Sequence, residues 1–253
     1  MRTIAIVSGK GGVGKTTIAV NLCASLSKVF NKNSILIDAN LNKADASLQL
    51  GFTDYSLALN DAIKGSCNIF ESMYTLPTGM KFIPSSLRDE KINIKNLKGK
   101  IRKLNADYVI IDSASGMGKE AMFAMNAADE ILIVTTPDIP AVKDALRVIT
   151  LAKNLRKNII GIALNKVTGE KYELSVKEIE MMCDVQVIQI IPEDVKINES
   201  IAKEMPVILY NPNCDISFEM KKLAAKISGE TFVQPKLSFF QRVFKIDLFL
   251  TLL

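Results

Sequence analysis

Residues Gly9-Lys10-Gly11-Gly12-Val13-Gly14-Lys15-Thr16 fit the pattern G-x-x-x-x-G-K-[ST], and Thr17 follows. A loop of this kind does phosphate chemistry. Its glycines lack Cβ, so the backbone can take unusual dihedrals and turn its N–H groups onto phosphate oxygens. A helix beginning near Lys15 adds the positive end of its dipole to the same spot. The expected cradle runs through Gly11, Gly12, Val13, Gly14, Lys15, Thr16 and Thr17. Lys15 is placed to reach the β- and γ-phosphates of a nucleotide, and the Thr16 hydroxyl to ligate Mg²⁺.

Regular elements must hold that loop. Ile4-Ala5-Ile6-Val7 before it is a short apolar run rich in β-branched residues, the signature of a buried parallel strand. Residues 16–29 after it put Ile18, Leu22, Ser25, Leu26 and Val29 on one helical stripe. Two further apolar runs, Ser34-Ile35-Leu36-Ile37-Asp38 and Tyr108-Val109-Ile110-Ile111-Asp112, each end in a carboxylate. Strand carboxyl ends border the ligand crevice of an open α/β sheet, so Asp38 and Asp112 are expected beside the phosphates as metal-holding acids. More strands are predicted over 80–84, 128–135, 159–167 and 185–191, and helices over 56–65, 142–155 and 215–228. The last buries Ile216, Met220, Leu223, Ala224 and Ile227. Strands alternating with helices predict a doubly wound, mostly parallel α/β sheet over residues 1–228. The lysine-rich stretch 88–103 reads as a solvated surface leading into an exposed helix, not a nucleic-acid site.

The whole chain sets further bounds. Its 253 residues suit one α/β domain, with ordinary apolar (48%) and charged (23%) content. A net charge of +5 permits anionic partners without arguing for nucleic acid. The sequence predicts no signal peptide, because Met1-Arg2 leads straight into the first strand, and no membrane-spanning helix. Cys23, Cys67, Cys183 and Cys214 lie far apart and read as reduced thiols, Cys23 as a small core residue. There is no histidine, which excludes a histidine base or metal ligand.

Lys10 is not required by the phosphate pattern. With it, Lys10-Gly11-Gly12-Val13-Gly14-Lys15-Thr16-Thr17 resembles the deviant Walker A of the MinD/ParA superfamily, and the layout of residues 2–228 is similar to archaeal-type MinD. The resemblance implies an ATPase using ATP, ADP and Mg²⁺, and an ATP-dependent sandwich homodimer in which Lys10 reaches the facing subunit's nucleotide. It makes Ala39 to Asp45 switch I, continued by Leu48-Gln49-Leu50-Gly51-Phe52, and Asp112 the Walker B acid. Ser113-Ala114-Ser115-Gly116-Met117-Gly118 resembles switch II, the N–H of Gly116 sensing the γ-phosphate, with Ala114 replacing the usual proline. Asn165 matches the asparagine that hydrogen-bonds adenine, although a strand-ending turn residue is the alternative. Pro192, Glu193 and Asp194 match the loop that lines the base. Asp144 is either an outward-facing residue of a partner-contact helix or a plain surface acid. The missing histidine and scattered cysteines weigh against iron–sulfur relatives such as Mrp-like carriers.

One departure bears on hydrolysis. The family motif is Asp-x-Asp, its second acid tied to positioning the attacking water, whereas this chain reads Asp38-Ala39-Asn40. An amide can orient water but cannot take its proton. Slow hydrolysis is expected, with Asp45 partly substituting.

The end of the chain is different in kind. Residues 229–235 read as a linker. In 236–253, Phe239, Val243, Ile246, Leu250 and Leu253 fall on one helical face, widened by Phe240 and Phe244, with Arg242 and Lys245 opposite. This pattern suits a helix lying in a bilayer interface, and MinD proteins often end in one. Docking on the chain's own domain, or in a partner's groove, stays open. The expected protein is thus cytoplasmic and peripheral at the inner face of the cell membrane, positioning septum-site machinery through a regulator or cargo the sequence does not name. A ParA-type DNA-partition ATPase, an FlhG-type positioning ATPase and an ATP-binding scaffold with little hydrolysis are the rivals.

Overall fold

The computed structural model describes residues 1–41, 43–86 and 97–235. The proposed membrane residues Phe239, Phe240, Arg242, Val243, Phe244, Lys245, Ile246 and Leu250 lie outside the described residues, as does much of the 88–103 surface. The chain runs β1 (Arg2–Val7), α1 (Lys15–Lys28), β2 (Ser34–Ala39), α2 (Asp45–Gln49) and α3 (Leu59–Lys64). It continues through β3 (Tyr74–Thr75), β4 (Lys81–Ile83), α4 (Leu97–Ile101), β5 (Tyr108–Ser113), α5 (Lys119–Ala127) and β6 (Glu130–Thr135). It closes with α6 (Ile139–Asn154), β7 (Asn158–Val167), α7 (Val176–Cys183), β8 (Val187–Pro192), α8 (Val195–Ala202), α9 (Val207–Tyr210) and α10 (Asp215–Ser228).

One sheet forms, in the order β3-β4-β2-β5-β1-β6-β7-β8, parallel throughout except for β3 against β4. The expected doubly wound architecture is therefore what the chain adopts. Successive strand residues point to opposite faces, so the two sides of β1 enter different cores. Ile4 and Ile6 pack with α1, α9 and α10; Ala5 and Val7 pack with α3, α5 and α6. Both faces are covered, which is why these strands are uniformly apolar rather than alternating.

Helix α1 is buried more completely than a single stripe implies. Every residue from Ile18 to Leu26 is inaccessible, because α1 lies between the sheet and α10. Its buried amide is satisfied locally: Asn21 donates to the Thr17 carbonyl at 2.9 Å and accepts from the Ile208 N–H at 3.3 Å. Helix α10 has the predicted bounds, and all five predicted inward residues are buried. Helix α6 starts at Ile139 rather than Val142, because Asp138 caps it, accepting from the Ala141 N–H at 3.0 Å, and Pro140 fits its first turn. The short α4 is not simply exposed, since its Leu97 and Ile101 are buried in the core.

Past α10 the chain turns back onto the body. Phe232 packs against Phe218 with tilted rings, centroids 6.2 Å apart, Lys221 sits over both rings, and Lys32 pairs with Glu230 at 2.5 Å. The four cysteines are free, and burial pushes the Cys23 thiol up to about 12, consistent with an inert core residue. Among the described residues, no helix is long and apolar enough to cross a membrane.

Candidate functional site

Strand register brings the chemistry together. Asp38 of β2 lies directly across from Asp112 of β5, and Asp112 in turn pairs with Ile6 of β1. The loop leaving β1 therefore passes over two adjacent carboxylates. Its own bracing is dense: the Ser8 hydroxyl donates to the Lys10 carbonyl at 2.7 Å, and Ser113 ties β5 to the Ile6 carbonyl at 2.8 Å. Gly14 takes φ +95°, a left-handed turn that starts α1 and that other residues avoid. A side chain there would also run into the Asn165 amide, which donates to the Val13 carbonyl at 2.7 Å.

Gly9 is required for a different reason. A Cβ at this position would be driven into the backbone carbonyl of Asp144, so the loop and α6 touch backbone to backbone. Gly9→Ala is expected to destabilise the protein by about 1–3 kcal/mol and to weaken ADP·Mg²⁺ binding, through overpacking against a rigid helix. Thermal melting and nucleotide titration check this, and an unchanged melting point would show that α6 yields freely. Asp144 therefore has a structural role that neither sequence reading named. Its main chain supports the loop, and its carboxylate pairs with Arg147 at 3.0 Å.

Electrostatics single out the carboxylate pair. Both side chains are fully buried. Burial pushes the Asp38 carboxyl well above its ordinary range and the neighbouring Asp112 adds to this, while the N–H groups of Asn40 and Ala46 and the Ser85 hydroxyl work against it. Burial raises Asp112 to about 7, opposed by the Thr16 hydroxyl and the Lys15 ammonium. The Thr16 hydroxyl faces Asp112 without meeting ordinary hydrogen-bond geometry, so neither Asp112 oxygen has a full hydrogen-bond partner among the described residues. An orphaned buried carboxylate beside a second one is a costly arrangement unless a cation joins it. Two carboxylates and one hydroxyl are hard oxygen donors, and among the described residues no larger His/Cys/Asp/Glu group forms a self-contained metal site. That set fits Mg²⁺, which takes one or two carboxylates and completes its shell from water and phosphate.

Lys15 is 8% exposed, and burial lowers its pKa while Asp112 and then Asp45 hold it up. Asn40 and Asp45 are brought together, the Asn40 amide donating to Asp45 Oδ2 at 3.1 Å. Lys10 lies apart from Lys15, in a cavity of about 320 Å³ on the β6–β8 side. Gly11, Gly12, Val13 and Glu193 line the cavity as well. Its Nζ is 3.5 Å from Asp138 Oδ1. The Asp138 carboxyl is raised by burial, but the Thr136 hydroxyl, the Ala141 N–H and Lys10 outweigh this and leave it low. Pro192 ends β8, and Asp194 is engaged in capping α8 through the Lys196 N–H at 2.8 Å; neither lines this cavity. Lining residues that sequence reasoning left unassigned are Thr136, Asp138, Lys166, Thr168, Tyr172 and Glu173. Their shared signal was position: each lies at the carboxyl end of a predicted strand or in the few residues after it.

Residues 4–207 match the family model for the CobQ/CobB/MinD/ParA nucleotide binding domain. The chain belongs to this family. It is 35% identical to an uncharacterized ATP-binding protein of Methanocaldococcus jannaschii, covering 90% of this chain and 88% of that one. It is 31% identical to the septum site-determining protein MinD of Thermotoga maritima, over 90% of this chain and 88% of that one. Among solved structures it superposes with TM-score 0.86 on the Pyrococcus horikoshii septum site-determining protein MinD complexed with Mg-ADP, at 28% identity, covering 93% and 99% of the two chains. The protein is therefore an ATP-binding, ATPase-class member of the MinD/ParA group.

Within this MinD/ParA frame, two motif positions make bonds that the motifs do not state. The N–H of Gly116 is not free to meet a phosphate, because it donates to the Ser8 carbonyl at 2.9 Å; sensing would exchange that bond. Asn165 is 7% exposed, with its amide engaged by the phosphate loop. It braces the cradle from below, which combines the strand-end reading with a direct link to the nucleotide site.

Proposed function

We propose that this chain is a MinD-like switch that binds ATP with Mg²⁺, dimerises face to face and hydrolyses ATP slowly to ADP and phosphate. The observation carrying this reading is the buried Asp38–Asp112 pair, unpartnered at Asp112, beside Lys15 and Thr16. Thr16, Asp38 and Asp112 would hold Mg²⁺, which when bound supplies positive charge to the transferring phosphoryl group. Lys15 and the N–H groups of residues 11–17 orient the phosphates, while Asn165 keeps the loop in register. The 320 Å³ cavity beside Lys10 and Glu193 is open to the base or to a facing subunit. For Lys10 to reach a facing nucleotide, its pairing with Asp138 must break.

The second half of the proposal concerns place. The domain is read as residues 1–228, with 229–235 joining it to a membrane-binding helix over 236–253. One interfacial helix binds weakly, and two on one dimer gain avidity without new contacts. ATP-driven dimerisation would then hold the protein at the inner face of the cell membrane. There it would position division machinery through a protein partner, a role supported by its likeness to septum site-determining relatives. Co-sedimentation with anionic vesicles tests this, using the full chain and a version ending at Pro235. Pelleting in ATP·Mg²⁺ that drops at least about 10-fold in ADP or on truncation is expected. Pelleting indifferent to both would overturn the membrane switch and turn attention to DNA binding with steep salt dependence.

A further inference from the structure

Hydrolysis needs a water held in line with the γ-phosphate, and an acceptor to hold it. Asp38 and Asp112 are unsuited to this. Both are fully buried, and Asp38 already accepts from two backbone N–H groups, Asn40 at 3.0 Å and Ala46 at 3.2 Å. Those two bonds have a second consequence. They use both oxygens of Asp38, so the backbones of Asn40 and Ala46 clamp onto the metal-holding carboxylate. Inside that clamp sit Asn40 and Asp45, joined side chain to side chain at 3.1 Å. Asp45 is solvent-exposed, yet its charge is felt by both Lys15 and Asp112. On the far side of the loop, Asp138 is occupied by Thr136, Ala141 and Lys10.

We infer that Asp45 is the carboxylate that orients the attacking water, and that Asn40 is the positioning residue that fixes Asp45. This rests on the ATPase reading above and assigns the water-handling group of the same site. In the step, the water oxygen forms a bond to the γ-phosphorus while the bond to the β–γ bridging oxygen breaks. The bonding pair leaves on ADP. Asp45 accepts a hydrogen bond from the water, one proton stays on the attacking oxygen, and the other passes to a phosphoryl oxygen. ATP⁴⁻ and water thus give ADP³⁻ and H₂PO₄⁻, with Asp45 unchanged. An exposed carboxylate has an oxygen to spare for water after binding Asn40, and the Asn40 amide removes one of its rotational freedoms.

The test is single-turnover ATP cleavage by full-length Asp45→Asn, Asp45→Glu and Asn40→Ala, with ATP affinity and melting temperature measured on each. Asparagine has nearly the shape of aspartate and keeps an oxygen that can accept from the Asn40 amide, so Asp45→Asn separates chemistry from folding. Cleavage should fall by at least about 30-fold in Asp45→Asn, with ATP affinity and melting temperature within about 2-fold and 2 °C of the wild type. Asp45→Glu should keep more activity than Asp45→Asn, and Asn40→Ala should lose about 3–10-fold through misplacement alone. Wild-type cleavage that survives Asp45→Asn unchanged would overturn the assignment while leaving the ATPase reading intact. A wild type that binds ATP but never cleaves it would overturn both.

Discussion

Lys15→Ala should reduce ATP turnover by about 10²–10³-fold and weaken ADP·Mg²⁺ binding, the largest effect of any single change in this protein. Lys15 sits almost wholly within the structure, and its ammonium is the cation that opposes the burial of Asp112. Its removal therefore acts twice. The phosphates lose a fixed positive partner in a site screened from water, and the carboxylates below lose the charge that offsets them. Lys10→Ala is the control. Lys10 is about half exposed and pairs only loosely with Asp138, so its loss should leave ADP affinity near wild type. Calorimetric titration with ADP·Mg²⁺ separates the two lysines. Equal affinities for Lys15→Ala and wild type would remove Lys15 from the phosphate site.

The second large effect concerns pH and metal together. Asp38 and Asp112 both have folded-state pKa values raised above the ordinary carboxylate range, Asp112 to about 7. The folded chain therefore keeps protons that the unfolded chain has released between about pH 4 and pH 7. The resulting stabilisation is complete below about pH 4 and is lost as pH rises through about 7. Without Mg²⁺, the protein should melt higher at pH 5.5 than at pH 8. Asp112→Asn removes one buried charge and should raise the metal-free stability at pH 8 by about 2–4 kcal/mol, flattening the slope. The same variant should lose most of the stabilisation that ADP·Mg²⁺ confers on the wild type. Melting curves across pH 5–8, with and without ADP·Mg²⁺, check both expectations. A wild type equally stable at pH 5.5 and 8 in EDTA would mean that both carboxyls are already ionised in the fold at pH 5.5, so that burial does not raise them.

Much of this was legible in the sequence. The phosphate loop is a local pattern, and each of its residues acts through its own backbone or side chain, so eight positions in register suffice. Strands with terminal acids are equally local: an apolar run ending in Asp38 or Asp112 announces both a buried strand and a polar end. The α10 stripe was readable to the residue because one helix face meets one core. Where a segment is buried all round, as in α1, periodicity is a weaker guide, and the stripe understated the burial.

What folding decided is which strand ends become neighbours. The order β2-β5-β1-β6 sets Asp38 against Asp112 and carries the phosphate loop across them, although the two acids are far apart in sequence. The bulge at Gly161, where the β6–β7 register shifts, has no counterpart in the apolar pattern of β7. Asp138 holding Lys10, Asn165 bracing Val13 and Asp144 supporting Gly9 are long-range contacts that no spacing rule encodes. The Asn40–Asp45 bond is the nearest case to a local one. Both residues stood in the motif, but their pairing depends on the fold of the segment over Asp38. Residue type and short-range period determined which groups could do the chemistry. The parallel sheet determined which of them meet, because only the convergence of strand carboxyl ends brings such distant side chains within hydrogen-bonding reach.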